Sequence, residues 1–338
     1  MIKAIVIDKN YGSVSEKELD KIRSSFEDNG ILLELKDLNS EDEIISECQD
    51  ATAILATGNP PLNGKVIKKL PKLKYIQRFG IGVNSIDLEE ATKNKVIVLN
   101  LPGFCSEELA DLSMAMILGL IRNVNYYDRK IRKGYWPKCE YYLPPNLREM
   151  TLGLFGFGTA GKELYKIVRN GFGANVLVYD PYISKESLKK YDVESVSFTE
   201  LLEKSDIISI HSKLTKETNH IFDKKAFKKM KDTSIIINTA RGQIINEEDL
   251  VWALENNQIR YAGLDTFECE PISKESPLLK MDNVLLNPHS GAYGSRSKEE
   301  QIKLVSSLIP LICKENRLDT KYIANKEVIN FIDNINLE

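Results

Sequence analysis

The 338-residue sequence is poor in histidine, poor in tryptophan and without any organised cysteine. Its five cysteines, Cys48, Cys105, Cys139, Cys269 and Cys313, form no C-x-x-C pair and no even-numbered framework. That excludes a disulfide scaffold and gives no metal site, and it fits reduced thiols in a cytoplasmic protein. An excess of one charge is missing too. Forty-six Lys and Arg against 49 Asp and Glu leave a net charge of −3, which offers no basic footprint for nucleic acid. Long hydrophobic runs are absent: Leu112 to Ile121 is bracketed by Asp111 and Arg122, far short of the roughly 20 residues that a membrane span needs. The first residues, Met-Ile-Lys-Ala-Ile-Val-Ile-Asp8, meet a charge too early for a signal peptide and read as a β-strand. What remains is an ordinary globular composition, 42% hydrophobic and 28% charged, with length for about two domains.

Short apolar runs alternate with polar helical patterns along the first 100 residues. Strands are expected at Ile2–Ile7, Ile31–Leu35, Ala53–Ala56, Tyr75–Arg78 and Val96–Leu99, with helices at Ser15–Asn29, Glu41–Cys48, Gly64–Leu70 and Leu88–Lys93. Such spacing implies parallel βαβ units. Asn100-Leu-Pro-Gly103 breaks the pattern as a domain crossing would. A nearly all-apolar helix from Ser106 to about Arg122 must bury most of its faces. Tyr126, Tyr127, Tyr135, Trp136, Tyr141 and Tyr142 follow within 123–148. Such a stretch suits a solvent-facing arm or, since six aromatics are many to leave wet, a contact with a second subunit, hence a homodimer built on about 106–148. A second series runs from Thr151 to Pro288, and an amphipathic helix from Ser295 to about Cys313 should rejoin the first domain. The expected architecture is therefore α/β, with two Rossmann-like or flavodoxin-like domains and parallel sheets. Residues 1–101 and 295–338 would form a discontinuous substrate-binding domain, with a nucleotide-binding domain, 102–294, inserted into it.

The richest stretch is Thr151-Leu-Gly-Leu-Phe-Gly156-Phe-Gly158-Thr-Ala-Gly161, followed by a strand that ends on Asp180. In a strand–turn–helix, Gly156 permits the tight turn, Gly158 lets backbone approach a pyrophosphate, and Gly161 lets helix and strand pack closely. The helix N-terminus presents free N–H groups to phosphate. Asp180 would accept the adenosine ribose hydroxyls and repel a 2′-phosphate, which favours NAD.

Carbonyl–hydroxyl interconversion with such a cofactor needs a proton donor, a partner for it and a cation for the substrate. Three histidines are available. His220, in a polar segment, reads as a surface or capping residue. His211 ends a strand where ligands bind, so it is expected to line the cofactor cleft. His289 lies in the Asn-Pro-His-Ser-Gly-Ala-Tyr loop, which suits either an inert or a catalytic residue. Arg241 tips a buried strand, and its planar fork suits a carboxylate, although it could equally pair with a surface acid. Asp265, Glu268 and Glu270 follow another strand, as solvated acids, helix caps or an orienting partner for His289.

Five segments together resemble the D-isomer-specific 2-hydroxyacid dehydrogenases. They are Arg-Phe-Gly-Ile-Gly-Val-Asn-Ser-Ile-Asp87, Gly-Phe-Gly-Thr-Ala-Gly161, Asn-Thr-Ala-Arg-Gly242, Leu-Asp-Thr-Phe-Glu-Cys-Glu-Pro271 and Asn-Pro-His289, in family order across about residues 50 to 300. The nearest branches by motif are the bacterial relatives of C-terminal-binding proteins and the phosphoglycerate dehydrogenase-like members. The resemblance implies NAD as cofactor and a small 2-oxo or 2-hydroxy acid as substrate. It implies that Arg241 binds the substrate carboxylate and carbonyl, that Glu270 pairs with His289, and that His289 is the acid–base. It places the backbone N–H groups of Ile81 and Gly82 on the carboxylate, and Thr159, Ala160, Asp180, Thr239, Ala240 and Asp265 against NAD. Arg78, just upstream, would meet a second anionic group or form a surface salt bridge. Two positions depart from the pattern: Ala292 stands where eukaryotic members of the C-terminal-binding branch carry Trp, and Ser106-Glu-Glu-Leu-Ala-Asp replaces a Thr-x-x-Val-Ala-Glu segment. A same-fold NAD(H)-sensing regulator is the competing expectation, with a formate or phosphite oxidoreductase as the third.

Overall fold

The computed structural model describes residues 2–8, 14–138, 143, 145–332 and 335–338. The chain divides into two compact units, Met1–Phe104 with Ser295–Glu338, and Cys105–Gly294. Among the described residues no helix is long and apolar enough to cross a membrane.

The first unit contains β1 (Ile2–Val6), α1 (Glu16–Glu27), β2 (Ile31–Leu35), α2 (Glu41–Glu47), β3 (Ala53–Ala56), α3 (Gly64–Lys68), β4 (Tyr75–Arg78), α4 (Leu88–Lys93) and β5 (Ile97–Leu99). Each helix starts at a side chain that accepts from an otherwise unpaired backbone N–H: Ser15, Ser40, Asn63 and Asp87 respectively. The strands pair in parallel in the order β2-β1-β3-β4-β5, a flavodoxin-like winding. Because side chains alternate across a strand, Ala4, Val6 and Leu55 face one layer, with Phe26, Val305 and Ile309. Ile5, Ile54 and Ile76 face the other, with Ile44, Val66 and Ala91. Val305 and Ile309 belong to the C-terminal helix, Ser295–Glu315, which continues two residues past Cys313 and carries Pro310 within it.

The second unit contains α5 (Ser106–Ile121), α6 (Val124–Arg132), β6 (Thr151–Phe155), α7 (Thr159–Lys166), β7 (Asn175–Tyr179), α8 (Lys185–Leu188), β8 (Glu194–Ser195), α9 (Phe198–Lys204), β9 (Ile207–Ile210), α10 (Lys224–Phe227), β10 (Ile235–Asn238), α11 (Glu247–Glu255), β11 (Tyr261–Leu264) and β12 (Val284–Leu286). All strands are parallel, in the order β12-β11-β10-β9-β6-β7-β8. The winding reverses between β6 and β9, where an open sheet of this kind leaves a crevice at its C-terminal edge. β10 reads Ile-Ile-Ile-Asn and is buried throughout, as a strand covered on both faces must be.

Helix α5 buries Ala110, Met114, Ile117 and Ile121 in the core of its own unit, beside Leu152, Leu164 and Ile237. The aromatic segment after it divides. Tyr126 is buried and meets the edge of Tyr127, whereas Tyr135 and Trp136 are exposed, Trp136 to 75%. Tyr141 and Tyr142 lie outside the described residues.

Candidate active site

The glycine turn joins β6 to α7. Gly156 has φ +95°, and a Cβ there would stand 2.8 Å from the His211 carbonyl oxygen. A Cβ on Gly161 would stand 2.7 Å from the Gly156 oxygen, so this glycine brings helix against turn. Around Gly158 the corresponding position is open. Gly158 also caps α7 without any side-chain hydrogen bond. The first N–H groups of α7, those of Thr159, Ala160 and Gly161, therefore face outward as an anion site. At the tip of β7, Asp180 Oδ2 accepts from Phe157 N–H at 2.8 Å, and Oδ1 accepts from Tyr182 N–H at 2.9 Å. Each oxygen keeps a second lone pair for a hydroxyl. The carboxylate thus ties the turn down and still has acceptors to offer.

His211, at the tip of β9, lies beneath this turn. Its backbone N–H donates to Phe155 and its Nε2 lies 2.8 Å from Ser209 Oγ. Burial pushes its pKa down to about 4, so the ring is neutral at physiological pH. At the tip of β10, Thr239 is buried with its hydroxyl 3.0 Å from that of Ser113, and Ala240 N–H donates to the Asn238 side chain. Ser106, where α5 begins, is 8% exposed and its hydroxyl has no partner among the described residues.

Arg241 follows β10. Burial lowers its pKa and the carboxylate of Glu270 pulls it back; the guanidinium stays charged. Burial pushes Glu270 upward, but its hydrogen bond to His289, the Phe267 N–H and the charge of Arg241 outweigh that and hold it below the ordinary range. Glu270 Oε2 lies 2.6 Å from His289 Nδ1, while Oε1 accepts from Phe267 N–H at 3.0 Å. The other ring nitrogen, Nε2, has no partner among the described residues. Arg241, Glu270 and His289 therefore converge, from the ends of three strands.

Asp265 is fully buried. Its oxygens accept from Asn287 Nδ2 (2.7 Å), Ser290 N–H (2.8 Å) and Gly291 N–H (3.0 Å), and its carbonyl accepts from His289 N–H (2.8 Å). The acid expected against NAD is thus committed to the loop that carries His289. His220, expected as a surface or capping residue, keeps a part-exposed side chain and gains a partner. Its φ is +52°, and its Nε2 lies 2.9 Å from Glu268 Oε1. Neither the Asn287 contact nor the Glu268 contact has a local sequence signal, since each joins segments at least 22 residues apart.

In the first unit, Phe79–Gly82 forms the turn after β4. Arg78 is buried, donating from Nε to the Gly82 carbonyl at 2.8 Å and from a terminal nitrogen to the Ala56 carbonyl at 3.0 Å. It is thus drawn into the fold and does not lie on the surface. The Ile81 carbonyl accepts from Asn100 Nδ2 at 2.7 Å. With these carbonyls engaged, the N–H groups of Ile81 and Gly82 have no partner among the described residues.

A reversed parallel sheet, a glycine turn opening an uncapped helix and an acid at the second strand tip define a dinucleotide-binding protein of the Rossmann class. The residues suit the cofactor: Gly156 makes a turn that no side chain would fit, the space beside Gly158 is open, and Asp180 offers acceptors. Residues 114–291 match the family model described as the D-isomer specific 2-hydroxyacid dehydrogenase NAD binding domain. A D-3-phosphoglycerate dehydrogenase of Archaeoglobus fulgidus is 37% identical over 279 residues, 82% of this chain and 52% of that protein. A glyoxylate reductase of Korarchaeum cryptofilum is 33% identical over 322 residues, 94% of this chain and 95% of that one. The solved D-lactate dehydrogenase of Aquifex aeolicus, complexed with NAD and lactic acid, superposes with a TM-score of 0.82 at 27% identity, covering 92% of this chain and 95% of that one. The chain belongs to the D-isomer-specific 2-hydroxyacid dehydrogenase family, a family of oxidoreductases, and its cofactor is NAD. It spans about half the length of the phosphoglycerate dehydrogenase.

Proposed function

We propose that this protein is an NAD-dependent dehydrogenase that reversibly reduces a small 2-oxo acid to its D-2-hydroxy acid in the cytoplasm. The observation that carries the reading is the 2.6 Å pairing of Glu270 with His289 Nδ1, which leaves Nε2 open, with the half-buried Arg241 acting on the same Glu270. When bound, NADH supplies a hydride to the carbonyl carbon. Arg241 holds the substrate carboxylate and polarises the carbonyl with its planar fork. His289 donates a proton from Nε2 to the carbonyl oxygen and takes it back in the reverse direction. Glu270 fixes the ring so that Nδ1 carries its proton toward the carboxylate and Nε2 faces the substrate. The N–H groups of Ile81 and Gly82 bind the substrate carboxylate, and Arg78 holds their turn in shape.

Gly156, Gly158, Thr159, Ala160 and Gly161 would hold the cofactor phosphates and Asp180 the ribose. Thr239, Ala240, His211 and the hydroxyl of Ser106 would line the rest of the site, with Asp265 acting through the His289 loop. Arg78, being spent on backbone carbonyls, gives no reason to prefer a phosphorylated acid. The retained Arg241–Glu270–His289 set favours an enzyme over a sensor. The protein works as a homodimer through α5, α6 and the exposed Tyr135 and Trp136.

The direct test is His289→Gln. NADH consumption should fall by roughly 10²- to 10⁴-fold, with the Kd for NADH unchanged. Near-normal turnover in that variant would remove His289 from the role.

A further inference from the structure

The loop Asp265–Glu270 carries the partner of His289. It is also held by residues that take no part in the chemistry above. Glu268 and Glu247 exchange hydrogen bonds. Glu268 N–H donates to Glu247 Oε2 at 3.1 Å, and Glu247 N–H, the first of α11, donates to Glu268 Oε1 at 2.9 Å. The same Glu268 Oε1 lies 2.9 Å from His220 Nε2. Gln243 Nε2 donates to the Glu268 carbonyl at 2.8 Å, and the Gln243 carbonyl in turn accepts from His220 N–H at 2.7 Å. Glu268 is thus bound through its N–H, its carbonyl and its carboxylate at once.

The backbone beneath is as close. A Cβ on Gly242 would lie 1.9 Å from the Phe267 carbonyl carbon and 2.4 Å from Glu268 N. The peptide after Phe267 therefore rests directly on the residue that follows Arg241. Any shift of Glu268 moves that shared contact, and Arg241 and Glu270 sit one and two residues from its two sides.

We propose that Glu268, with His220, Gln243 and Glu247, forms a latch that positions Glu270, making Glu268 a positioning residue for the reaction. The proposal rests on the reading of Glu270 and His289 as the acid–base pair. Proton transfer in that pair depends on ring orientation, and a displacement of about 1 Å at a reacting centre costs on the order of 100-fold in rate. Outer-shell partners act through this kind of orientation.

The test is a double-mutant cycle on the full chain, read as kcat for 2-oxo acid reduction, with NADH Kd and thermal midpoint as controls of folding. Glu268→Ala should lower kcat by about 10- to 100-fold while NADH binding holds. Glu268→Gln keeps an acceptor for Glu247 N–H and His220 Nε2, and should restore most of the rate. In a Glu270→Gln background, Glu268→Ala should cost little further, because the group it positions is gone. An equal fold-loss in both backgrounds, or no rescue by Gln, would overturn the latch. If Glu268→Ala fails to fold, Gln243→Ala replaces it in the same cycle with the same expectation. If Glu270→Gln alone retains normal kcat, the acid–base reading fails and the latch falls with it. That result is distinct from a normal cycle cost on a working pair.

Discussion

His289 has φ +53°, in the left-handed region that residues with a Cβ seldom occupy. The loop holds it there because Asp265 accepts from Ser290 and Gly291 through its side chain and from His289 through its carbonyl. Gly242 meets the opposite demand, for absence rather than for strain. Gly242→Ala would drive a methyl into the Phe267 peptide. Overpacking of this kind costs typically 1–3 kcal/mol, so a lowered thermal midpoint together with a kcat loss greater than that in NADH affinity is expected. His211 gives a test at acid pH. Its folded pKa of about 4 lies below the unfolded value of about 6.5, so the unfolded chain binds more protons between them. Its contribution to stability is full above pH 6.5 and lost as pH falls through 4. His211→Asn should therefore flatten the stability loss between pH 6.5 and 4 in denaturant titrations. An unchanged slope would count against a buried neutral ring.

At the scale of elements, β6, the glycine turn, α7 and β7 work as one device. Asp180 holds the turn through Phe157 N–H while it offers acceptors to a ribose. Asp180→Ser should relax the discrimination against a 2′-phosphate, raising kcat/KM with NADPH relative to NADH by tenfold or more, about 1.4 kcal/mol. A ratio unmoved by the change would mean that selectivity lies elsewhere. This device was legible in the sequence because its parts are local: a strand, three glycines, a helix and an acid in order. The strand tips bearing Arg241, Glu270 and His289 were legible in the same way. The latch behind Glu270 was not, since Gln243, Glu247 and His220 reach Glu268 only once β10, α11 and β11 are stacked. The burial of Arg78 was likewise hidden, for nothing local distinguishes an arginine that binds carbonyls from one that binds phosphate.

At the scale of the whole chain, sequence periodicity anticipated two parallel sheets, and the burial of Tyr126 separates it from Tyr135 and Trp136. Tyr135 and Trp136 remain exposed. If they seat a second copy, sedimentation should give a dimer for the wild type and a monomer at the same concentration for a Tyr135→Glu, Trp136→Glu double variant. A monomeric wild type would contradict the assembly. The reaction itself is open to one decisive measurement. The purified protein is incubated with NADH and, separately, pyruvate, hydroxypyruvate, glyoxylate, oxaloacetate and phosphorylated 2-oxo acids. NADH consumption is followed and the product's configuration determined by chiral chromatography. The account predicts turnover with at least one unphosphorylated acid and, where the product is chiral, only the D-2-hydroxy acid. Tight NADH binding without turnover of any acid, or an L-product, would contradict it.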